Sequence, residues 1–224
     1  MHKCGGIKGC GSNSFIQELV CHLPYSVLSV AFSLAVVSIM NFISASGMDQ
    51  SHLKSAYYML FHNFHFLHIV FAVTGSMVMF SKYSKNLFAA IVVSIVSSSI
   101  FCVLSDVIFP YVGGRLLGAN MTRHICFFCD PLNILIFLFI GVINGIAQIY
   151  RSRYINGTNT VVIHCLHIVV SALASTFYLV SHGFVIDGLS LGYVFLLLLV
   201  AVVLPCTLSD IVVPIFFAIS GKKK

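Results

Sequence analysis

"HNFHFLHIVF", residues 62–71, sets His62, His65 and His68 inside a run apolar enough to lie in a lipid bilayer. Nearly the same letters return further on: "HFLHIV" at 65–70 recurs as "HCLHIV" at 164–169. A second pair follows in the same order, "CVLSDVIFP" at 102–110 and "CTLSDIVVP" at 206–214. His, Asp, Cys and Pro are rare letters in so apolar a chain, so two ordered matches that contain them indicate an internal duplication. A weaker third match sets "CHLPY" at 21–25 opposite "CDPL" at 129–132.

The composition fixes the setting of these motifs. The chain has 224 residues, of which 59% are hydrophobic and 8% charged, and a mean hydropathy of +1.03. That is far too apolar for an ordinary soluble domain. A helix that crosses the hydrocarbon core needs roughly 20 apolar residues. Six such runs are bounded by charged or Gly/Asn/Ser-rich breaks: Pro24–Ser44, Ser55–Phe80, Leu87–Val112, Pro131–Tyr150, Asn159–Val180 and Leu191–Ile219. The first 23 residues hold no apolar signal core, so the first run is read as a retained span.

The expected fold is therefore an all-α membrane protein of six transmembrane helices, formed by two three-helix repeats. The expected organisation is a tail at 1–23, a first repeat at 24–112, an outer loop at 113–130, a second repeat at 131–219 and a basic tail at 220–224. A unit with an odd number of spans enters the membrane from opposite sides in its two copies, so the repeats are expected to be inverted, a plan common among secondary transporters. One side of the membrane would carry Lys3, Lys8, Lys82, Lys85, Arg151, Arg153 and Lys222 to Lys224, and the other only Lys54, Arg115 and Arg123. The positive-inside rule then places both termini in the cytoplasm. A multi-pass protein of a bacterial inner membrane is expected, with the lipid bilayer as its constant partner. The net charge of +6 sits mainly at span ends, where it sets topology, and gives no basic stripe for nucleic acid.

The polar residues inside the spans carry the functional reading. Spacing of three on a helix puts His65 and His68 on one face, and likewise His164 and His167. An Asp near the centre of a spanning helix costs about 2.5–3.5 kcal/mol, yet each repeat keeps one, Asp106 and Asp210. Compensation is required. Helical rise places His65, His68 and Asp106 in the outer half of the membrane and His164, His167 and Asp210 in the cytoplasmic half. Two stacked clusters are expected, one per leaflet, which a shift of the span ends by a helical turn would bring together near the midplane. Pro110 and Pro214, four residues after each Asp, are expected to free the carbonyls of Asp106 and Asp210.

Imidazole suits Zn, Fe, Ni and Cu, with carboxylate completing a mixed donor set. The six residues His65, His68, Asp106, His164, His167 and Asp210 are thus the candidate metal ligands, with His22, His62, His124, Cys126, Cys129 and Asp130 as accessories. Cys102, Cys165 and Cys206 read as small packing residues. The leading functional reading is a small secondary transporter or channel for a transition-metal cation or coupled protons, more readily than an enzyme. The alternatives are a proton-coupled small-solute transporter, a membrane haem protein for electron transfer, and an intramembrane metal-dependent hydrolase. There is no Walker motif, so energy for uphill movement would come from an ion gradient or a partner subunit. Homo-oligomerisation is also open.

Overall fold

The computed structural model describes residues 15–45, 50–122, 124, 130–154, 160–186, 188 and 190–221, excluding the side chains of 15–18, 21, 50, 152–154 and 160–162. The expectations on Cys126, Cys129, Arg123 and both terminal Lys groups lie outside these residues. Among the described residues the regular structure is entirely helical: α1 (Phe15–Ala45), α2 (Gln50–Tyr83), α3 (Leu87–Val103), α4 (Phe109–Leu116), α5 (Pro131–Tyr154), α6 (Thr160–Ser181), α7 (Leu191–Thr207) and α8 (Val213–Ser220). A π-helical turn at Leu104–Ile108 joins α3 to α4, and another at Leu208–Val212 joins α7 to α8. Six helical segments are long and apolar enough to cross a membrane, with the two joined pairs each forming one. This is the architecture of a multi-pass membrane protein.

Helix α1 starts at Phe15, inside the segment read as a tail, so Pro24 lies within the helix instead of opening it. One interior Pro removes one backbone hydrogen bond, which a helix of this length tolerates. Nearby hydroxyls bond the backbone too: Ser26 donates to the His22 carbonyl at 3.1 Å and Ser29 to that of Tyr25 at 2.7 Å.

The spans differ sharply in how much they are covered. In α2 and α6 72% of the apolar window is buried, against 28–44% in the other four, and these two helices pack most extensively on each other. They are the two that carry the His pairs. Helix α5 leans on α2, and α1 leans on α6 and α7. Small residues make the first approach possible: a methyl group on Gly141 would fall 2.9 Å from the Val73 Cβ and 3.2 Å from the Val70 carbonyl oxygen. Gly145, one turn on, gives the same close fit to Met77. The outward faces are apolar, with Phe32, Phe42, Phe88, Phe139 and Phe216 exposed. That surface suits lipid.

Each π turn begins two residues before the Asp of an LSD motif and ends two residues before a Pro. In this register a backbone N–H reaches the carbonyl five residues back, as Phe109 does to Leu104 and Val213 to Leu208. Pro110 and Pro214 follow directly and have no N–H to continue this ladder. Neighbouring helices also bond these turns, with Ser175 Oγ donating to Ser105 O at 3.1 Å and Ser97 Oγ donating to Ser209 O at 3.2 Å.

Candidate functional site

The face shared by His65 and His68 turns toward the π turn that carries Asp106. Both Nδ1 atoms bond one carboxylate oxygen, Asp106 Oδ2, at 2.8 and 2.7 Å. The other oxygen, Oδ1, accepts from Ser171 Oγ at 3.2 Å. Around the second motif His167 Nδ1 bonds Asp210 Oδ2, and His164 Nδ1 lies 3.3 Å from that same oxygen. A conjunction of side chains thus forms around each Asp, as the spacing of the motifs implies.

The two groups are not separate. His68 Nε2 and His167 Nε2 lie 2.6 Å apart, so His65, Asp106, His68, His167, Asp210 and His164 form one continuous chain across the helix bundle. His65, His68, Asp106, His167 and Asp210 are buried, while His164 keeps some exposure. Beyond His164 the ring of His22 packs edge-on, with centroids 4.6 Å apart. That brings His22 to one end of the chain.

Cys206 belongs to the same place. Its Sγ stands 3.8 Å from His68 Nε2 and 3.4 Å from Ser171 Oγ, and it forms with His68 and His167 a group whose three donor atoms lie within 4.8 Å of one another. The reading of Cys206 as packing missed this. The signal was present, because Cys206 precedes Asp210 by four residues and so shares its helix face. Cys102 has the equivalent position in the first repeat and adjoins His68, but it is not part of that group.

Several polar atoms in the cluster have no hydrogen-bond partner: His65 Nε2, Ser209 Oγ and Asp210 Oδ1, all buried. Gly75 makes room for the Asp210 carboxylate, since a methyl group there would fall 2.8 Å from Oδ2.

A second polar group caps one end of the bundle. His62 donates through Nδ1 to the Tyr58 carbonyl at 2.9 Å, which leaves Nε2 facing His124 Nε2 at 3.2 Å and Asp130 Oδ2 at 3.9 Å. His62, His124 and Asp130 are half-buried and also have metal-ligand spacing. His182 stacks on Tyr178, with centroids 4.2 Å apart, and faces His124. Burial holds the His182 imidazole below its ordinary pKa, against the raising effect of its bond to the Tyr178 carbonyl.

Comparisons of the chain with protein families, with curated proteins and with solved structures give no match.

Proposed function

We propose that the chain is a small secondary transporter that moves a transition-metal cation, coupled to protons, along the buried His/Asp chain. The observation that carries this reading is the continuity of that chain from His65 to His164 at hydrogen-bond distances. Ionisable residues in a spanning segment are costly and mark ion or proton pathways. Six of them in contact, on the four spans that build the centre, exceed what helix register alone would require.

The proton logic follows from donors and acceptors. If His68 and His167 each donate through Nδ1 to a carboxylate, their two Nε2 lone pairs face each other at 2.6 Å. Two lone pairs at that distance repel, so a positive particle belongs between them, either a proton or a metal ion. Because a metal ligand must be deprotonated, ion binding there displaces protons. Coupling is then a property of the site. His62, His124 and Asp130 at one end, and His164 beside the buried His22 at the other, offer partly exposed imidazoles through which an ion would load and leave.

The plan of inverted three-helix repeats, with both termini cytoplasmic, is part of the same proposal. It is supported by the paired motifs, by a π turn at each repeat's Asp, and by the way α1 leans on α6 while α5 leans on α2. The second reading is a pure proton relay driving an organic solute; the 2.6 Å Nε2 separation favours it, being a hydrogen-bond length. A porphyrin has no space between rings so placed, and the symmetry of the cluster does not suit a hydrolase with one reactive water.

The test is uptake of Zn(II) by proteoliposomes under an imposed pH gradient. Uptake that collapses on reversal of the gradient and in His68→Ala and His167→Ala variants is expected. Zinc-independent proton flux that needs the same residues would turn the assignment to the relay, and the absence of both activities would defeat it.

A further inference from the structure

We infer that the metal seat at the centre of the chain is a nitrogen–sulfur site made by His68 Nε2, His167 Nε2 and Cys206 Sγ, and that its ion is Zn(II) or a similar borderline divalent cation. The inference rests on the transport reading for its purpose but not for its geometry. It reassigns Asp106 and Asp210, which the sequence marks as ligands, to holding the imidazoles.

The two central imidazoles are oriented for such a seat. Metal-ligating His residues characteristically donate their other ring N–H to a carboxylate, which fixes the tautomer and makes the ligating nitrogen more basic. Both central His residues have this arrangement: His68 Nδ1 faces Asp106 and His167 Nδ1 faces Asp210. Their free Nε2 atoms converge on one point, and the carboxylates point away from it.

The spacing of the donor atoms fits as well. With Zn–N of about 2.1 Å and Zn–S of about 2.3 Å, tetrahedral geometry separates two ligating nitrogens by roughly 3.4 Å and a nitrogen from sulfur by roughly 3.6 Å. Cys206 Sγ is 3.8 Å from His68 Nε2, already close to the required value. The two Nε2 atoms, at 2.6 Å, must part by roughly 0.8 Å. The freedom for that lies on the Asp210 side, where Oδ1 is held by no second bond.

The charge of the buried cluster also suits a divalent ion. Two carboxylates and one bridging proton leave the buried cluster with a single net negative charge. A divalent cation bound to a Cys206 thiolate in place of that proton leaves the same charge, so the exchange adds no burial penalty for ions. A monovalent cation would leave one negative charge more. Three protein ligands keep a fourth position open, which a site that must release its ion requires. Thiolate and imidazole together select zinc-like ions over Mg or Ca.

The experiment uses the full chain in detergent or nanodiscs, titrated with Co(II) as a spectroscopic probe and then with Zn(II). A near-ultraviolet sulfur-to-cobalt charge-transfer band is expected, lost in Cys206→Ser, kept in Cys165→Ser and quenched by added Zn(II). Zn(II) affinity should fall at least tenfold in Cys206→Ser. If that variant does not fold, X-ray absorption at the zinc edge of the unmodified protein decides. Sulfur bound to zinc is expected, and a shell of nitrogen and oxygen alone overturns the inference. Cobalt bound without the band, or a band that survives Cys206→Ser, overturns it too. Zinc uptake that persists in such a case leaves transport standing without this seat, whereas loss of both binding and uptake removes the two together.

Discussion

The two Asp residues sit in the same motif and the same π turn, yet their surroundings differ. Asp106 has both oxygens bonded, to His65 and His68 on one side and to Ser171 on the other. Asp210 uses one oxygen for its His pair, and Oδ1 has no hydrogen-bond partner. The cause is one residue. Aligning "HFLHIVFA" at 65–72 with "HCLHIVVS" at 164–171 puts Ala72 where the other copy has Ser171. Ser171 bonds both Asp106 and Ser105, and without such a hydroxyl Asp210 Oδ1 and Ser209 Oγ are left over together. Two like motifs build like Asp sites, and a single small side chain gives one Asp a second bond that the other lacks.

The largest effect should come from cutting the chain on its tight side. Asp106→Ala leaves two buried imidazoles without their acceptor and should cost about 3–5 kcal/mol, while Asp210→Ala should cost about 1 kcal/mol less, the value of the missing serine bond. Thermal unfolding in detergent, followed by circular dichroism, ranks the two, and an equal loss would break the comparison. Gly75→Ala comes next. Its methyl group would press on Asp210 Oδ2 and should cost about 1–3 kcal/mol by overpacking, whereas the equivalent place in α6, Ala174, already carries a Cβ.

Exchange of the serine is the sharpest probe. Ser171→Ala should destabilise by about 1–3 kcal/mol, because it leaves a buried acceptor unsatisfied. Ala72→Ser should stabilise by about 0.5–1.5 kcal/mol if its hydroxyl reaches Asp210 Oδ1, and on the proposed transport function should slow uptake by tying down that carboxylate. The double variant reverses the asymmetry. Stability and uptake rate measured on all three show whether it matters.

The smallest effect concerns the end of the bundle that has no counterpart. Aligned with α2, His182 falls at Tyr83 and His62 at Val161, so the cap around His124 exists once. The pKa of folded His182 is lowered by burial. The unfolded chain therefore takes up its proton first as pH falls, and stability contributed by this group is present above the ordinary imidazole pKa, about 6.5, and lost below it. A slightly shallower acid-side loss of melting temperature is expected in His182→Gln. No change in slope would show that the stacked ring is not the group responsible.

Much of this was readable before any coordinates. Six spans follow from apolar run length, and the pairing of His65 and His68 with Asp106 follows from rare letters set at helical intervals. The π turns before Pro110 and Pro214 are not legible in the sequence, which gives the position of a Pro but not the hydrogen-bond register of the turn before it. Cys206 was overlooked because a Cys in an apolar run is most often packing, and its role depends on a helix far away in the chain.

The sequence by itself determined the membrane setting, the duplicated motifs and which ionisable side chains share a helix face. These depend on composition and on the fixed period of the helix, which act locally. Tertiary structure alone decided that His68 and His167 meet through Nε2, that Cys206 joins them and that Asp210 keeps an unbonded oxygen. Those facts depend on the register, ring orientation and close approach of helices distant in sequence, which packing sets and no local rule encodes.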